Sequence, residues 1–293
     1  MAAGGITPTT HDKWRPTVWA KDTLDYFTKE LVVADTIESY DEDVAEYGQK
    51  IEIPLFSPSG AARTLTPGTD ITFDTNTEGS IVLNVDKWKY KAHQIFNMTK
   101  VQSKYNIRSK YTKDAAYTLK DGVEIDVIAW INAAITANEV SGNNAFVIPA
   151  NFGGTAVGLT DAKIRRARVL LDKQNVPSTN RYLVVNPDGL GDIFGEDRYA
   201  SKDFAEGPNG SIVNAGNKPV RLYGFELRVS NNIPVGQSLA YHEEVAAKAI
   251  QQDIKVTGDD NVRSGAWEQR SDIIYGGTAL RQTAGIRILD NHS

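Results

Sequence analysis

From Gly48 the chain alternates apolar and polar positions. Ile51, Ile53 and Leu55 fall on one face of a strand, and Pro54, which has no N–H to give a ladder, argues for a sheet edge. A second alternating run starts at Ser80, with Ile81, Leu83 and Val85 on one face and Asp86, Trp88 and Tyr90 on the other. The two runs predict a long hairpin. Residues 57–79 between them are rich in Pro, Gly and Thr and poor in apolar side chains, a connection too long for a compact domain unless it does something. It reads as a projecting loop. The period then changes. Ala116, Leu119, Val123, Val127, Ile131 and Ala134 recur at spacings of three and four, predicting a helix from about Arg108 to Asn138. At 1.5 Å per residue this is a rod of roughly 45 Å. Gly122 lies within it, at a cost of about 1 kcal/mol relative to alanine.

A second helix is predicted from Thr160 as N-cap, with Asp161 in its first turn, Ile164, Ala167, Leu170 and Leu171 facing inward, and an end before Pro177. Tyr182–Val185 is a candidate buried strand running into "NPDGLGDIFG", which reads as a glycine turn. A polar loop follows from Asp188 to Lys218. "VRLYGFELRVSNNIP" predicts two short strands hinged at Gly224. "LAYHEEVAAKAIQQDIKV" mixes strand, helix and strand, and "DIIYGGTALRQTAGIRIL" reads as paired strands around Gly276 and Gly277. At the start, residues 1 to about 15 are Gly, Thr and Pro rich. Trp19, Leu24, Phe27 and Leu31 then suggest a short amphipathic helix. Such an arm has little core of its own and needs the main body or a neighbouring subunit to pack on.

With 41% hydrophobic and 24% charged residues in 293, the chain has the composition of a folded soluble protein. No apolar run approaches the roughly 18 residues of a membrane span, and no signal-peptide pattern opens the chain. The absence of cysteine removes disulfides, thiolate catalysis and cysteine metal sites. A net charge of −5 argues against the whole protein acting as a counterion-releasing nucleic-acid binder.

Candidate chemistry is sparse. His11, His93, His242 and His292 are dispersed without metal spacing, and His242-Glu243-Glu244 reads as a solvated helix start. Asp41-Glu42-Asp43 reads as a charged turn. Gly189, Gly191 and Gly195 give G-x-G-x-x-x-G, one residue longer than the dinucleotide fingerprint, and Asp188 and Asp192 put negative charge where a pyrophosphate would sit. Arg165, Arg166 and Arg168 form a basic stretch without interleaved aromatic residues: a solvated helix face, or else a phosphate or subunit contact. No catalytic, cofactor-binding or metal-ligating residue is assigned.

The order of elements carries more than any motif. "GQKIEIPLF", "VLNVDKWKYKAHQI", "KYTKDAAYTLKDGVEIDVIAWINAAI", "VPSTNRYLVVNPDGL", "LYGFELRVSNNIP" and "GGTALRQTAGIRIL" together resemble tailed-bacteriophage major capsid proteins of the Hong Kong 97 fold, over about Trp14 to Leu289. The resemblance implies an α+β shell subunit: an N-terminal arm (1–45), an extended loop (46–96), a peripheral domain with a spine helix (97–144), an axial domain (145–257) and a return to the peripheral domain (258–293). It implies assembly contacts at the loop tip (Arg63, Thr66, Asp70) and a possible spine-helix hinge at Gly122. Implied partners are other copies of the chain in hexamers and pentamers, a separate scaffolding protein given the short arm before Trp14, a portal protein, and packaged double-stranded DNA contacted non-specifically, with no membrane. The implied location is the virion, with assembly in the host bacterial cytoplasm. Some members of the family cross-link a loop lysine to a neighbour, but the tip here offers Arg63 and no lysine, and Lys87, Lys89 and Lys91 sit near the base. Covalent cross-linking is not expected. Two alternatives remain: an encapsulin-type compartment shell, and a soluble α/β enzyme with a nucleotide site at the glycine turn.

Overall fold

The computed structural model describes residues 28–44, 48–56, 61–68, 70–71, 73, 78–102, 107–140, 146–153, 158–196 and 221–290. The amphipathic helix expected around Trp19, Leu24 and Phe27, and the loop from 197 to 218, lie outside them. Among the described residues the strands form three sheets.

The largest feature is a hairpin of two long strands, β10 (Ala246–Asn261) and β11 (Ala266–Ala279). The two-residue β1 (Glu38–Ser39) pairs parallel with β10, and β4 (Lys87–Phe96) pairs antiparallel with β11, giving the order β1-β10-β11-β4. One helix, α3 (Ile107–Val140, 34 residues), packs against this sheet. Its buried positions Ala115, Leu119, Val123, Val127, Ile131 and Ala134 repeat at helical spacing. The β-branched Val127, Ile128, Ile131 and Ile135 are mediocre helix formers, so burial rather than propensity holds this half of α3.

The second sheet has the order β5-β12-β9-β6-β8-β7, built from β5 (Val147–Ile148), β12 (Gly285–Leu289), β9 (Gln237–His242), β6 (Arg181–Val185), β8 (Phe225–Val229) and β7 (Arg221–Leu222). The central β6 reads Arg-Tyr-Leu-Val-Val and is buried at four of five positions, as expected of a strand covered on both faces. Helix α4 (Asp161–Lys173) packs on β12 and β5, and α5 (Pro187–Gly195) on β6. A single apolar cluster runs from Leu119, Val127 and Ile135 of α3 into Leu183, Leu239 and Ile286 of this sheet, so the helix is shared by both sheets.

The third sheet is a two-stranded ribbon, β2 (Lys50–Leu55) and β3 (Gly79–Asn84), with Ile51 opposite Leu83 and Ile53 opposite Ile81. Such a ribbon is marginal by itself. Its base is anchored by a small separate cluster in which Leu83 and Val85 meet Val44, Ala247 and Ala249, with Val44 closing the short helix α1 (Asp41–Val44).

Several sequence expectations change. The run from Ser80 is not one strand: it breaks after Asn84, β3 staying with β2 while β4 crosses to β11. The crossing passes over Gly276, where an added Cβ would lie 1.9 Å from the Asn84 carbonyl oxygen and 2.6 Å from the Val85 Cα. The turn implied by strands paired around Gly276 and Gly277 is therefore absent: both glycines lie within β11, near its C-terminal end, because other groups occupy the space a side chain would need. The helix expected after His242 shrinks to one 3-10 turn, Glu243–Val245. Its cap is His242, which is buried rather than solvated and accepts at Nδ1 from the Glu244 N–H at 3.3 Å. Beyond it β10 runs to Asn261, and β12 joins the six-stranded sheet. "NPDGLGDIFG" is helix α5 rather than a turn. Pro187 opens it, Asn186 caps it by accepting from the Gly189 N–H at 2.7 Å, and none of Gly189, Gly191 and Gly195 has a positive φ. The hinge at Gly224 is present, with φ +88° beside Tyr223 at φ +49°.

The crossing over Gly276 is rigid because backbone atoms, not flexible side-chain ends, fill the space. Gly276→Ala is expected to destabilise the subunit by about 1–3 kcal/mol, toward the upper end, read as a lowered urea midpoint at unchanged m-value.

Candidate functional site

The inward face of β4 carries Lys87, Lys89, Lys91 and His93, directed at α3 by the two-residue period of the strand. Lys89 and Lys87 reach the Asp126 carboxylate, with Nζ–Oδ2 distances of 2.8 and 3.1 Å. The buried Tyr275 hydroxyl of β11 donates to the same carboxylate oxygen. Lys89 also donates to the Gly122 carbonyl oxygen at 3.2 Å, so one ammonium brackets a full turn of the helix, from residue 122 to 126. Lys87 lies 5.0 Å from the Trp130 ring centroid, and Trp130 meets Tyr275 edge-on at 6.3 Å. Trp130 in turn covers Gly277, where a Cβ would fall 2.3 Å from the ring. Partial burial works to raise the Asp126 pKa, but hydrogen bonds from Lys89, Tyr275 and Lys87 outweigh it and hold the carboxyl below its usual value. Burial, reinforced by the Asp126 bond and charge, pushes the Tyr275 phenol well up, so it remains a donor.

A second set of ties holds the first turns of α3. Arg108 stacks on Trp267 at 4.2 Å and approaches Asp260 at 3.8 Å, Thr112 donates to Gln269 at 3.0 Å, and His93 lies beside Tyr111 with ring centroids 4.8 Å apart. The lysines at the loop base are thus turned toward the helix.

Gly122 faces Lys89. An alanine Cβ there would lie 3.5 Å from Nζ, an ordinary contact, so glycine is not sterically required. Arg63, Thr66 and Asp70 are each exposed. The few large apolar side chains of the loop stand in water: Leu65 is 61% exposed, Ile71 66% and Phe73 88%. The face of the four-stranded sheet away from α3 also carries large exposed side chains, Trp88, Tyr90 and Phe96. Trp88 is fixed in place by its Nε1–H bond to Asp272 at 3.0 Å and by Arg270 above its ring.

The basic stretch on α4 is engaged within the chain. Arg165 pairs with Asp161 at 2.8 Å, Arg168 with Asp172 at 3.6 Å, and Arg166 lies 5.9 Å from the Phe152 centroid. These are the contacts of an amphipathic surface helix. Lys163, which the sequence groups with this basic stretch, is fully buried rather than solvated and donates to the carbonyls of Gly158 and, at 3.2 Å, Leu289, tying α4 to the end of β12. Burial pushes its pKa down, while Asp290 and Asp192 work to raise it. The signal was present: Lys163, Ala167, Leu170 and Leu171 share one face of the helix. At the glycine segment, the cap that Asn186 makes to Gly189 occupies the α5 terminus where a phosphate would bind, so the nucleotide reading loses its geometry. Among the described residues no cluster of His, Asp and Glu could hold a metal ion. No described helix is long and apolar enough to cross a membrane.

Residues 45–290 match the family model described as phage capsid protein. The chain belongs to the phage capsid protein family. Solved phage structures share its fold over nearly the whole length. That of Mycobacterium phage Che8 is 22% identical with a TM-score of 0.76, covering 94% of this chain and 97% of the other. The capsid of cyanophage P-SCSP1u is 17% identical at 0.77, covering 97% and 95%. The capsid asymmetric unit of cyanophage Pam1 is 10% identical at 0.75, covering 100% and 99%. No curated protein sequence matches the chain. The mixed helix-and-strand architecture is thus the Hong Kong 97 type, and the chain is a structural protein of the phage head shell, a major capsid protein of the virion.

Asp126→Asn removes the charge that two lysines share and is expected to cost about 2 kcal/mol at pH 7. Because the folded pKa of Asp126 is depressed, its stabilisation is complete above the unfolded carboxylate value of about 4 and is lost as pH falls through the lower folded value. The gap between wild type and variant in urea unfolding should therefore be widest at neutral pH and close below about pH 4.

Proposed function

We propose that this capsid protein self-assembles, as hexamers and pentamers, into the icosahedral head of a tailed phage that encloses double-stranded DNA. Assembly would take place in the host bacterial cytoplasm with a separate scaffolding protein and a portal protein as partners. The observation that carries this reading is a pair of uncovered apolar surfaces on one chain of a shell-forming family: the loop with Leu65, Ile71 and Phe73, and the sheet face with Trp88, Tyr90 and Phe96. Exposed patches of this kind on a folded domain mark protein contacts. Two different surfaces that fit each other make a head-to-tail interface, which closes into rings and shells rather than pairs.

In this reading residues 1–45 form the arm, 46–96 the extended loop, 97–144 with 258–293 the peripheral part and 145–257 the axial part. Arg63, Thr66 and Asp70 act at the loop tip beside the apolar side chains. Their polar groups set register against the neighbour, and the apolar groups supply most of the burial. Gly122 permits the spine helix to change curvature between shell forms, with Lys89 as the strut that fixes it in this one. DNA contact is non-specific and weak per subunit, in keeping with a net charge of −5 and with arginines on α4 that already have internal partners.

Light scattering and negative-stain microscopy of the expressed chain, with scaffold supplied, test the proposal. Closed particles of tens of nanometres are expected, and a small soluble oligomer would contradict it. Particles filled with DNA on infection support the phage head, whereas an enclosed enzyme would indicate an encapsulin-type compartment. The combined Leu65→Ser, Ile71→Ser and Phe73→Ser variant should change subunit stability by no more than about 0.5 kcal/mol, since these side chains are already in water, yet abolish particles. In Gly122→Ala the helix should gain up to about 1 kcal/mol and the ratio of compact to expanded particles should shift. An unchanged ratio would remove Gly122 from the mechanism.

A further inference from the structure

Two residues beyond Gly122, and so about 200° around the helix, Glu124 is fully buried. Its partners among the described residues are neutral donors from two other stretches of chain. Oε2 accepts from the Val33 backbone N–H at 3.3 Å, and Oε1 from the Ser230 hydroxyl at 2.8 Å and the Asn232 side-chain amide at 3.3 Å. Asn232 extends the network. Its amide donates to Asp121 at 2.8 Å, and its carbonyl oxygen accepts from the Lys29 ammonium at 2.8 Å, while the Lys29 N–H donates to the Tyr117 hydroxyl at 2.8 Å. The base of the arm, the long helix and the loop after β8 of the six-stranded sheet all meet at this one carboxylate.

The arm base is the weakest of the three. Residues 28–30 are exposed, and ladder pairing begins only at Glu38 with Ala247. Before that the segment is held by the Lys29 and Val33 bonds, by the buried Val33 side chain with half-buried Val32 and Ala34 beside it, by the Thr36 hydroxyl bond to Tyr241 at 2.6 Å, and by Lys248, which donates to the Ala34 carbonyl at 2.6 Å and lies 3.7 Å from the exposed Asp35 carboxylate. A buried carboxylate held by neutral donors carries a desolvation cost that opening to water relieves. A segment with few ties and such a contact opens locally before the sheets do.

We propose that Glu124 is a release catch for the arm base: Lys29–Thr36 detaches from α3 while both sheets remain folded, and the carboxylate sets how often it does so. The catch is a property of the single chain and does not depend on shell assembly. In Glu124→Gln the size is kept, but the new amide N–H group must face a donor in either orientation, the Val33 N–H or the Asn232 amide.

Hydrogen–deuterium exchange on the unassembled full-length chain tests the proposal. Wild-type amides of Val33–Thr36 should exchange faster than those of β6 and β11. In Glu124→Gln they should exchange about tenfold faster again, with β6 and β11 unchanged. Asn232→Ala, which cuts the Lys29 tie but leaves the Val33 bond, should accelerate the same segment to a smaller degree, and decides the matter if the glutamine variant does not fold. Acceleration spread equally over the arm base and both sheets would show a core group and overturn the catch. So would unchanged exchange at Val33–Thr36 in these variants.

Discussion

A helix of 34 residues can lie close against a twisted sheet only where the sheet makes room for its largest side chains. Here that room is Gly277, covered by the Trp130 ring; the preceding Gly276 makes room on the opposite face, where the chain passes from β3 to β4. Once Trp130 is seated, Asp126 stands one turn back, within reach of two lysines from β4 and the phenol of β11. Two strands and the helix are thereby fixed at a single point. The same helix supplies Val127, Ile131 and Ile135 to the core shared with the six-stranded sheet, so the two sheets hold their relation through α3 rather than through each other's edges.

What this joint does not cover explains the function. The core is complete without the loop beyond β2 and β3 and without the outer face of β4, and large apolar side chains remain in water on both. In a monomeric protein that arrangement is a liability. In a shell subunit it is the means of closure, because the free energy of covering those groups is released only when a neighbour arrives. The tight joint and the uncovered loop are two sides of one design: a body that keeps its shape and an appendage whose apolar side chains are covered by a neighbour.

The sequence made the periodic parts legible. Repeats of three and four gave the long helix as Arg108 to Asn138 against Ile107–Val140 observed, and alternation gave the ribbon with its inward Ile51, Ile53, Ile81 and Leu83. What it hid were contacts made at long separation. Lys89 and Asp126 are 37 positions apart, and nothing local distinguishes them from solvated charges. Gly276-Gly277 looked like a turn because a glycine pair has two causes, a special backbone angle or a close neighbour, and only the fold shows that Asn84 and Trp130 are the neighbours. "NPDGLGDIFG" misled for a related reason. Three glycines lower helix propensity, yet Asn186, Pro187 and burial of Ile193 are enough to wind the segment. Glu124 and Lys163 were readable in principle, as charged residues on otherwise apolar helical stripes.

The central claim is that one chain's loop and sheet face are covered by neighbouring chains while the helix joint is already complete within the subunit. Hydroxyl-radical footprinting of dissociated and assembled protein tests it directly through side chains that report by oxidation. Phe73, Trp88, Tyr90 and Phe96 should be strongly oxidised in the free subunit and protected in the particle, with buried Tyr275 slow to react in both. Equal oxidation of the four residues in the two states, or a Tyr275 that becomes protected only on assembly, would contradict it.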